Sequence, residues 1–221
     1  MKKIISIIAI LTVISIMGSA FADSDGMIRF RGLEWYSTMP EIKEALGWKD
    51  LDTMNEMILL SDIDENWDYS VYSGYKRIDD MGLFAYRYDV EVAGYKAMVG
   101  MSFIYPIENG SSVKDRDKAQ LYMATYSISE YSDLKSVYYD LKAKIDALYG
   151  EGAVENNRVR WMDSVGNKVV LSMSGDSYVS ISYAAAGHKE RLQSMHNVRI
   201  AEMRRAEAEE RTQKAGDNSG L

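Results

Sequence analysis

The sequence predicts an α+β fold: an antiparallel sheet of about six strands, in the order helix, three strands, helix, three strands, with the helices packed on one face and a polar helix at the C-terminus. Three observations predict it. Period-two alternation runs from Tyr86 to Tyr105, an amphipathic segment with end signals occupies Ser132 to Gly150, and three short apolar segments separated by turn residues follow up to Tyr183.

In chain order, the first 22 residues read as an export signal: Lys2 and Lys3, an apolar run from Ile4 to Met17, then Ala20-Phe21-Ala22 as a small-x-small cleavage site. The run is shorter than the roughly 20 residues a membrane-spanning helix needs. Cleavage after Ala22 would leave 199 residues beginning at Asp23, with no span left. Arg29 to Tyr36 reads as a short edge strand. Thr38-Met39-Pro40-Glu41 then has capping-box spacing with proline in the first turn, and Gly47 stops the helix. Leu51, Met54 and Ile58 suggest a second helix over Lys49 to Leu60, and Ser61 to Asp80 reads as an acidic, irregular crossing loop. Tyr86, Tyr88, Val90 and Val92 form one face of a strand, Ala93-Gly94 turns, and Tyr95 to Tyr105 returns until Pro106. A polar loop, Glu108 to Asp117, leads to a strand over Ala119 to Ile128.

The most self-consistent stretch begins at Ser132. Leu134, Val137, Leu141, Ile145 and Leu148 form one apolar stripe, with Ser132 as the cap and Gly150 as the stop. Strands Val159 to Met162, Lys168 to Met173 and Tyr178 to Tyr183 complete the sheet, joined by Val165-Gly166-Asn167 and Ser174-Gly175-Asp176-Ser177. From His188 to Lys214 the chain is helical and polar. The predicted organisation is therefore a signal peptide over 1–22, one α+β domain over 23–186, a polar helix over 187–214 and a flexible tail over 215–221.

Composition removes several function classes. The chain has no cysteine, so disulfides, thiol nucleophiles and lipid attachment through a lipobox cysteine are all excluded. The net charge of −7 becomes −9 after signal cleavage, which argues against nucleic acid or anionic lipid as the partner. No G-x-S-x-G elbow occurs. Ser111-Ser112-Val113-Lys114 and Ser132-Asp133-Leu134-Lys135 match serine-x-x-lysine, but no partner motif follows either, and the second is a helix start. His188 and His196, eight apart, lack the spacing of a zinc pair and read as solvent-facing helix residues. Asp62, Asp64 and Asp68 imitate the start of a calcium loop; Trp67 stands where that loop needs glycine, and Ser73 where it needs glutamate. These aspartates are the weak calcium candidates, and no other cofactor is expected. Tyr122, Tyr126 and Tyr178, placed by alternation opposite the apolar positions of their strands, are the candidate contact residues for a protein or a sugar.

Two stretches carry a resemblance. Phe30-Arg31-Gly32-Leu33-Glu34-Trp35 with the capped helix after it, and Leu148-Tyr149-Gly150, Trp161 and Ile181-Ser182-Tyr183 near the end, resemble the "F-R-G-x-x-W … L-x-x-Y-G … W … I-x-Y" pattern of small secreted proteins from gut and other anaerobic bacteria. The arrangement of elements is similar to the β-lactamase-inhibitor-protein-like fold and to small outer-membrane assembly lipoproteins. Tyr36 stands where the pattern has glycine. The resemblance implies a fold and an export route, and it implies no catalytic residue.

These observations lead to the expectation of a non-enzymatic secreted or envelope module, periplasmic or extracellular, that binds a protein or polysaccharide partner through its sheet face and terminal helix. The alternative expectation is an exported hydrolase acting on cell wall or polysaccharide through Asp62, Asp64 and Asp68. A matrix component without a defined ligand is a third. The sequence does not fix the oligomeric state.

Overall fold

The structure, a computed structural model, describes residues 26–48, 51–58, 78–156 and 158–217. Within them the chain forms α1 (Met39–Leu46), β1 (Asp52–Ile58), β2 (Ile78–Val92), β3 (Tyr95–Ile104), β4 (Ile107–Glu108), β5 (Ser111–Ser112), a 3-10 turn (Arg116–Lys118), β6 (Gln120–Ile128), α2 (Leu134–Tyr149), β7 (Ala153–Glu155), β8 (Arg158–Met162), β9 (Lys168–Ser174), β10 (Tyr178–Ala184) and α3 (His188–Asp217). Eight strands make one antiparallel sheet in the order β1-β2-β3-β6-β10-β9-β8-β7, and β4 pairs with β5 in a small separate hairpin. The α+β class and the antiparallel sheet are as the sequence predicts.

Two strands exceed the predicted six. One is β7, a three-residue edge. The other is β1, which lies within the stretch whose spacing suggests a helix. That spacing was the wrong guide: a short segment without a cap does not sustain a helix alone, whereas β1 satisfies its backbone against β2, with Asp52 opposite Tyr86 and Met54 opposite Phe84. The signal segment and the candidate calcium aspartates lie outside the described residues, and so does most of the predicted crossing loop; its last residues, Ile78 to Asp80, begin β2.

Register places Val159 and Trp161 (β8), Val169 and Leu171 (β9), Val179, Ile181 and Tyr183 (β10), Ala124, Tyr126 and Ile128 (β6), Val99, Met101 and Phe103 (β3) and Leu83 and Ala85 (β2) on one face. All are buried. On this core face α2 lies against β9 and β10, inserting Leu134, Val137, Leu141 and Ile145. Leu148 remains exposed, while Tyr149 packs against the core. The helix is capped one residue later than predicted: Asp133, not Ser132, accepts hydrogen bonds from the Ser136 amide at 3.0 Å and hydroxyl at 2.6 Å. At the other end of α2, Asp146 accepts from Lys142, the Gly152 amide and the Trp161 indole, tying the helix to β8.

The stretch expected to be an edge strand at Arg29 to Tyr36 is a turn. Arg31 and Gly32 have φ of 52° and 73°, and the Leu33 amide donates to the Phe30 carbonyl at 3.0 Å. Two successive positive φ values reverse the chain in two residues, so arginine followed by glycine serves geometry. Phe30 is thereby buried against Tyr126 and Tyr183, with ring centroids 5.5 and 5.9 Å apart. The Trp35 indole donates to the Ile28 carbonyl at 2.8 Å. Next, α1 begins with the predicted capping box and ends at Gly47 in the left-handed region, φ 63°.

From the end of β10, α3 runs past Gln120, to which Arg191 donates, towards β2 and the β4–β5 hairpin. Leu192, Met195, His196 and Ile200 are buried, and Glu202 accepts from the Ser112 amide at 2.7 Å. The first half of this helix therefore belongs to the same core as the sheet. Beyond Met203, residues 204–215 are exposed and carry pairs along the helix, such as Glu210 with Lys214.

Candidate functional site

The second face of the sheet is chemically unlike the first. Register aligns one row across it, Arg160 (β8), Val170 (β9), Ser182 (β10), Thr125 (β6), Gly100 (β3) and Tyr86 (β2). On one side of this row lie Arg158, Ser172, Ser180, Ser127 and Met98. On the other lie Met162, Lys168, Ala184, Met123, Ser102 and Phe84. The three middle strands thus carry mainly serine, threonine, glycine and alanine on this face, between larger side chains on β2 and on β8–β9; Gly100, Ser102, Ser180 and Ala184 are buried, and Thr125, Ser127 and Ser182 half-buried.

The short hydroxyls are paired with one another. Thr125 donates to Ser182 at 3.0 Å, and the Ser172 and Ser180 oxygens are 2.8 Å apart. Each of these four hydroxyls is paired with another hydroxyl, and the arrangement supplies polar surface. On the β2 side, Phe84, Tyr86 and Tyr88 form a ladder: Phe84 stacks on Tyr86 with centroids 6.2 Å apart, and Tyr86 meets Tyr88 edge-on at 5.6 Å. Phe84 lies over Gly100, whose position has no room for a side chain, since a Cβ there would sit 2.4 Å from the ring. Tyr88 is 60% exposed. Beyond it a cleft of about 220 Å³ is lined by Tyr88, Lys96, Met98, Ser127 and Glu130.

The opposite flank is basic. Arg158 and Arg160 are exposed and Lys168 half-buried. Arg160 pairs with Glu155. Burial pushes the Lys168 ammonium below its ordinary pKa, Lys189 and Arg160 push it further, and Glu190 opposes them. Three cations with few carboxylates make this edge positive within an acidic chain.

The predicted contact residues separate. Tyr178 lies on this second face, 41% exposed. Tyr126 instead points into the core, 1% exposed, between Ile181 and Val99 in register. Its hydroxyl accepts from Arg31 at 2.5 Å, and burial raises its pKa to about 12 despite that guanidinium. Tyr122 is 4% exposed and stacks on His188. The predicted alternation of β6 is inverted because its register against β3 slips between Ser102 and Phe103, so Thr125 and Ser127, not the tyrosines, face outward. The same physics hid the aromatic ladder. Tyr86 and Val90 share no face, because a bulge at Tyr88 and Asp89, with Asp89 at φ 54°, reverses the phase of β2. The aspartate after Tyr88 was the available signal, since aspartate tolerates that conformation.

The histidines also depart from expectation. His196 is 1% exposed, and His188 is half-buried with Nδ1 2.6 Å from the Ala185 carbonyl. Burial pushes both below their ordinary pKa. Ser112 accepts no catalytic role from the serine-x-x-lysine spacing; its hydroxyl and amide bind Glu202. Among the described residues, no group of three or more histidines, aspartates or glutamates is placed to hold a metal ion, and no helix is long and apolar enough to cross a membrane.

No protein-family model, curated protein or solved structure matches this chain.

Proposed function

We propose that the protein is an exported, non-enzymatic binding module that engages a macromolecular partner through the second face of its sheet. The observation that carries this reading is the composition of that face. It is built from tyrosine, phenylalanine, methionine and arginine around short hydroxyls, the mixture enriched where proteins bind one another. A sheet face that served only solubility would carry alternating lysine and glutamate. The rigidity of the sheet means that these side chains lose little further entropy on contact.

The test is capture from the source cell's envelope and secreted fractions with the native protein beside Thr125→Arg and Ser182→Arg. Both positions are half-buried and lie on the face opposite the core side chains of their strands. The native protein should retain a saturable partner that both variants lose while unfolding at the native temperature. Equal retention by all three would refute the assignment of the face.

A further inference from the structure

We propose that the cleft between the start of α3 and the segment Ile104 to Ile107 binds a small monocarboxylic acid with an apolar body, its carboxylate on Arg191 and its body against Ile104, Pro106 and Ile107. None of these residues belongs to the set assigned to the macromolecular partner, and the inference does not rest on that assignment. The cleft has a volume of about 480 Å³, within the roughly 300–1,000 Å³ of small-ligand sites. One wall is the end of β3 with the start of β4, the other is Glu190, Arg191 and Ser194 on α3, and Gln120 of β6 completes the lining.

The guanidinium of Arg191 is held in place by neutral groups. Its central carbon lies 3.5 Å from the centre of the Tyr36 ring, and Nη1 donates to Gln120 Oε1 at 3.0 Å. Among the described residues Arg191 forms no ion pair, and its Nε and Nη2 make no hydrogen bond. Glu190 precedes it, but that carboxylate lies back over the start of α3, where Oε2 would stand 3.9 Å from a Cβ on Gly187, and its charge supports the Lys168 ammonium. Nε and Nη2 form one planar edge, the geometry that grips a carboxylate through two parallel hydrogen bonds. The platform behind this guanidinium is itself fixed. Tyr36 has φ 68°, a conformation that a bulky side chain rarely adopts. Its hydroxyl donates to the Ala186 carbonyl at 2.7 Å and its amide to the Leu121 carbonyl at 2.9 Å, so both ends of the residue are tied down. Strain of this kind persists where the surroundings over-determine it, and it clusters at ligand clamps.

The facing wall selects the rest of the ligand. The Tyr105 amide donates to the Met81 carbonyl at 3.1 Å, Pro106 has no N–H, and the Pro106 carbonyl accepts from the Val113 amide at 2.9 Å. Ile107 pairs with Ser112 in the small hairpin and keeps 40% of its surface exposed. Across the cleft, the Ser194 hydroxyl donates to the Glu190 carbonyl at 2.9 Å. These groups are already spent, so a peptide backbone or a sugar, each of which brings many polar groups, finds few partners here. An alkyl chain or an aromatic ring asks only for apolar contact, which Ile104, Pro106 and Ile107 supply. A cationic ligand would meet Arg191 with like charge, and a neutral one would leave its edge unmatched.

The probes are octanoate, its neutral counterpart octanamide, octylammonium, acetate, and the peptide acid acetyl-alanyl-leucine. Binding to the purified protein at pH 7 is read by titration calorimetry and by the NMR signals of the Arg191 Nε–H and the Ile107 amide. Octanoate should bind at least about tenfold more tightly than octanamide and shift both signals. Acetate, which lacks the body, and octylammonium, which reverses the charge, should leave both in place. Arg191→Gln should reduce the affinity for octanoate to that for octanamide, and Ile107→Glu should abolish octanoate binding; both side chains are exposed, and both variants should keep the native circular dichroism. The comparison of octanoate with octanamide needs no variant. Equal affinity for those two would overturn the carboxylate contact, tighter binding of acetyl-alanyl-leucine would overturn the small acid in favour of a polypeptide terminus, and unmoved signals with every probe would overturn the cleft as a site. Each of these outcomes leaves the assignment of the second face, read by capture with Thr125→Arg and Ser182→Arg, where it stands.

Discussion

Ending the chain at Ala186 removes the whole of α3, and with it Leu192, Met195 and Ile200, which are 2%, 0% and 6% exposed. Burial of such side chains contributes about 1.5–3 kcal/mol each, so the truncation costs roughly 5–9 kcal/mol before the uncovered sheet residues are considered. Area-based values are upper bounds, but domains are stable by only about 5–15 kcal/mol in total. The Ser112 amide also loses the Glu202 carboxylate. A chain ending at Met203 keeps all of these contacts and sheds a segment whose residues 204–215 are exposed, for an expected change within about 0.5 kcal/mol. Urea unfolding followed by tryptophan fluorescence and far-ultraviolet circular dichroism distinguishes the two. The shorter chain should lose its cooperative transition or unfold at much lower urea, while the chain ending at Met203 should retain the native midpoint. A native midpoint for the chain ending at Ala186 would refute the placement of α3 in the core and restore the division at residue 187 that polarity alone suggests.

Acid should weaken the fold through three carboxylates. Burial opposes ionisation of Asp146, Asp140 and Glu202, but hydrogen bonds from Lys142, Lys144 and the Ser112 amide, respectively the strongest opposing contacts, hold each carboxyl below its ordinary pKa. Their stabilisation is present above the unfolded carboxylate range and is lost as pH falls through the folded values; Asp146→Asn should flatten the dependence of the urea midpoint on pH, and an unchanged slope would contradict the linkage. Gly82→Ala should lower the melting temperature more than Gly100→Ala, because a Cβ at residue 82 would lie 1.8 Å from the Phe103 carbonyl oxygen, whereas at residue 100 it meets the movable Phe84 ring. Asp163→Ala should cost on the order of 3 kcal/mol in urea unfolding, since its carboxylate accepts from the amides of Ile28, Val165, Gly166 and Asn167 and from the Asn167 side chain.

The helix α2, the meander β8 to β10 and the capped α1 were legible in the sequence because local periodicity, end residues and turns agree there. Faces were less legible than elements. Tyr86 and Tyr88 look like companions of Val90, and Tyr126 looks like an outward residue, until a bulge in β2 and a register slip between β3 and β6 are known. Alternation gives two faces but not their assignment once one extra residue enters a strand. The terminal helix misleads for another reason. Its mean character is polar, yet three apolar residues and His196 within its first half suffice to dock it, and an average over thirty residues hides a local apolar side. Phe30-Arg31-Gly32 carries its meaning in backbone geometry, which spacing rules for strands do not register. The proposed face escaped because serines, a threonine and a glycine on neighbouring strands come together only when register aligns them.

The most direct measurement is site-specific photocrosslinking in the source cell, with a photoreactive residue at Ser182 on the second face or at Glu209 on the exposed half of α3. The account predicts a discrete crosslinked species from Ser182 and none from Glu209, with the Ser182 product lost when Arg158 and Arg160 are changed to glutamate. A product from Glu209 alone, or a Ser182 product indifferent to those changes, would contradict it.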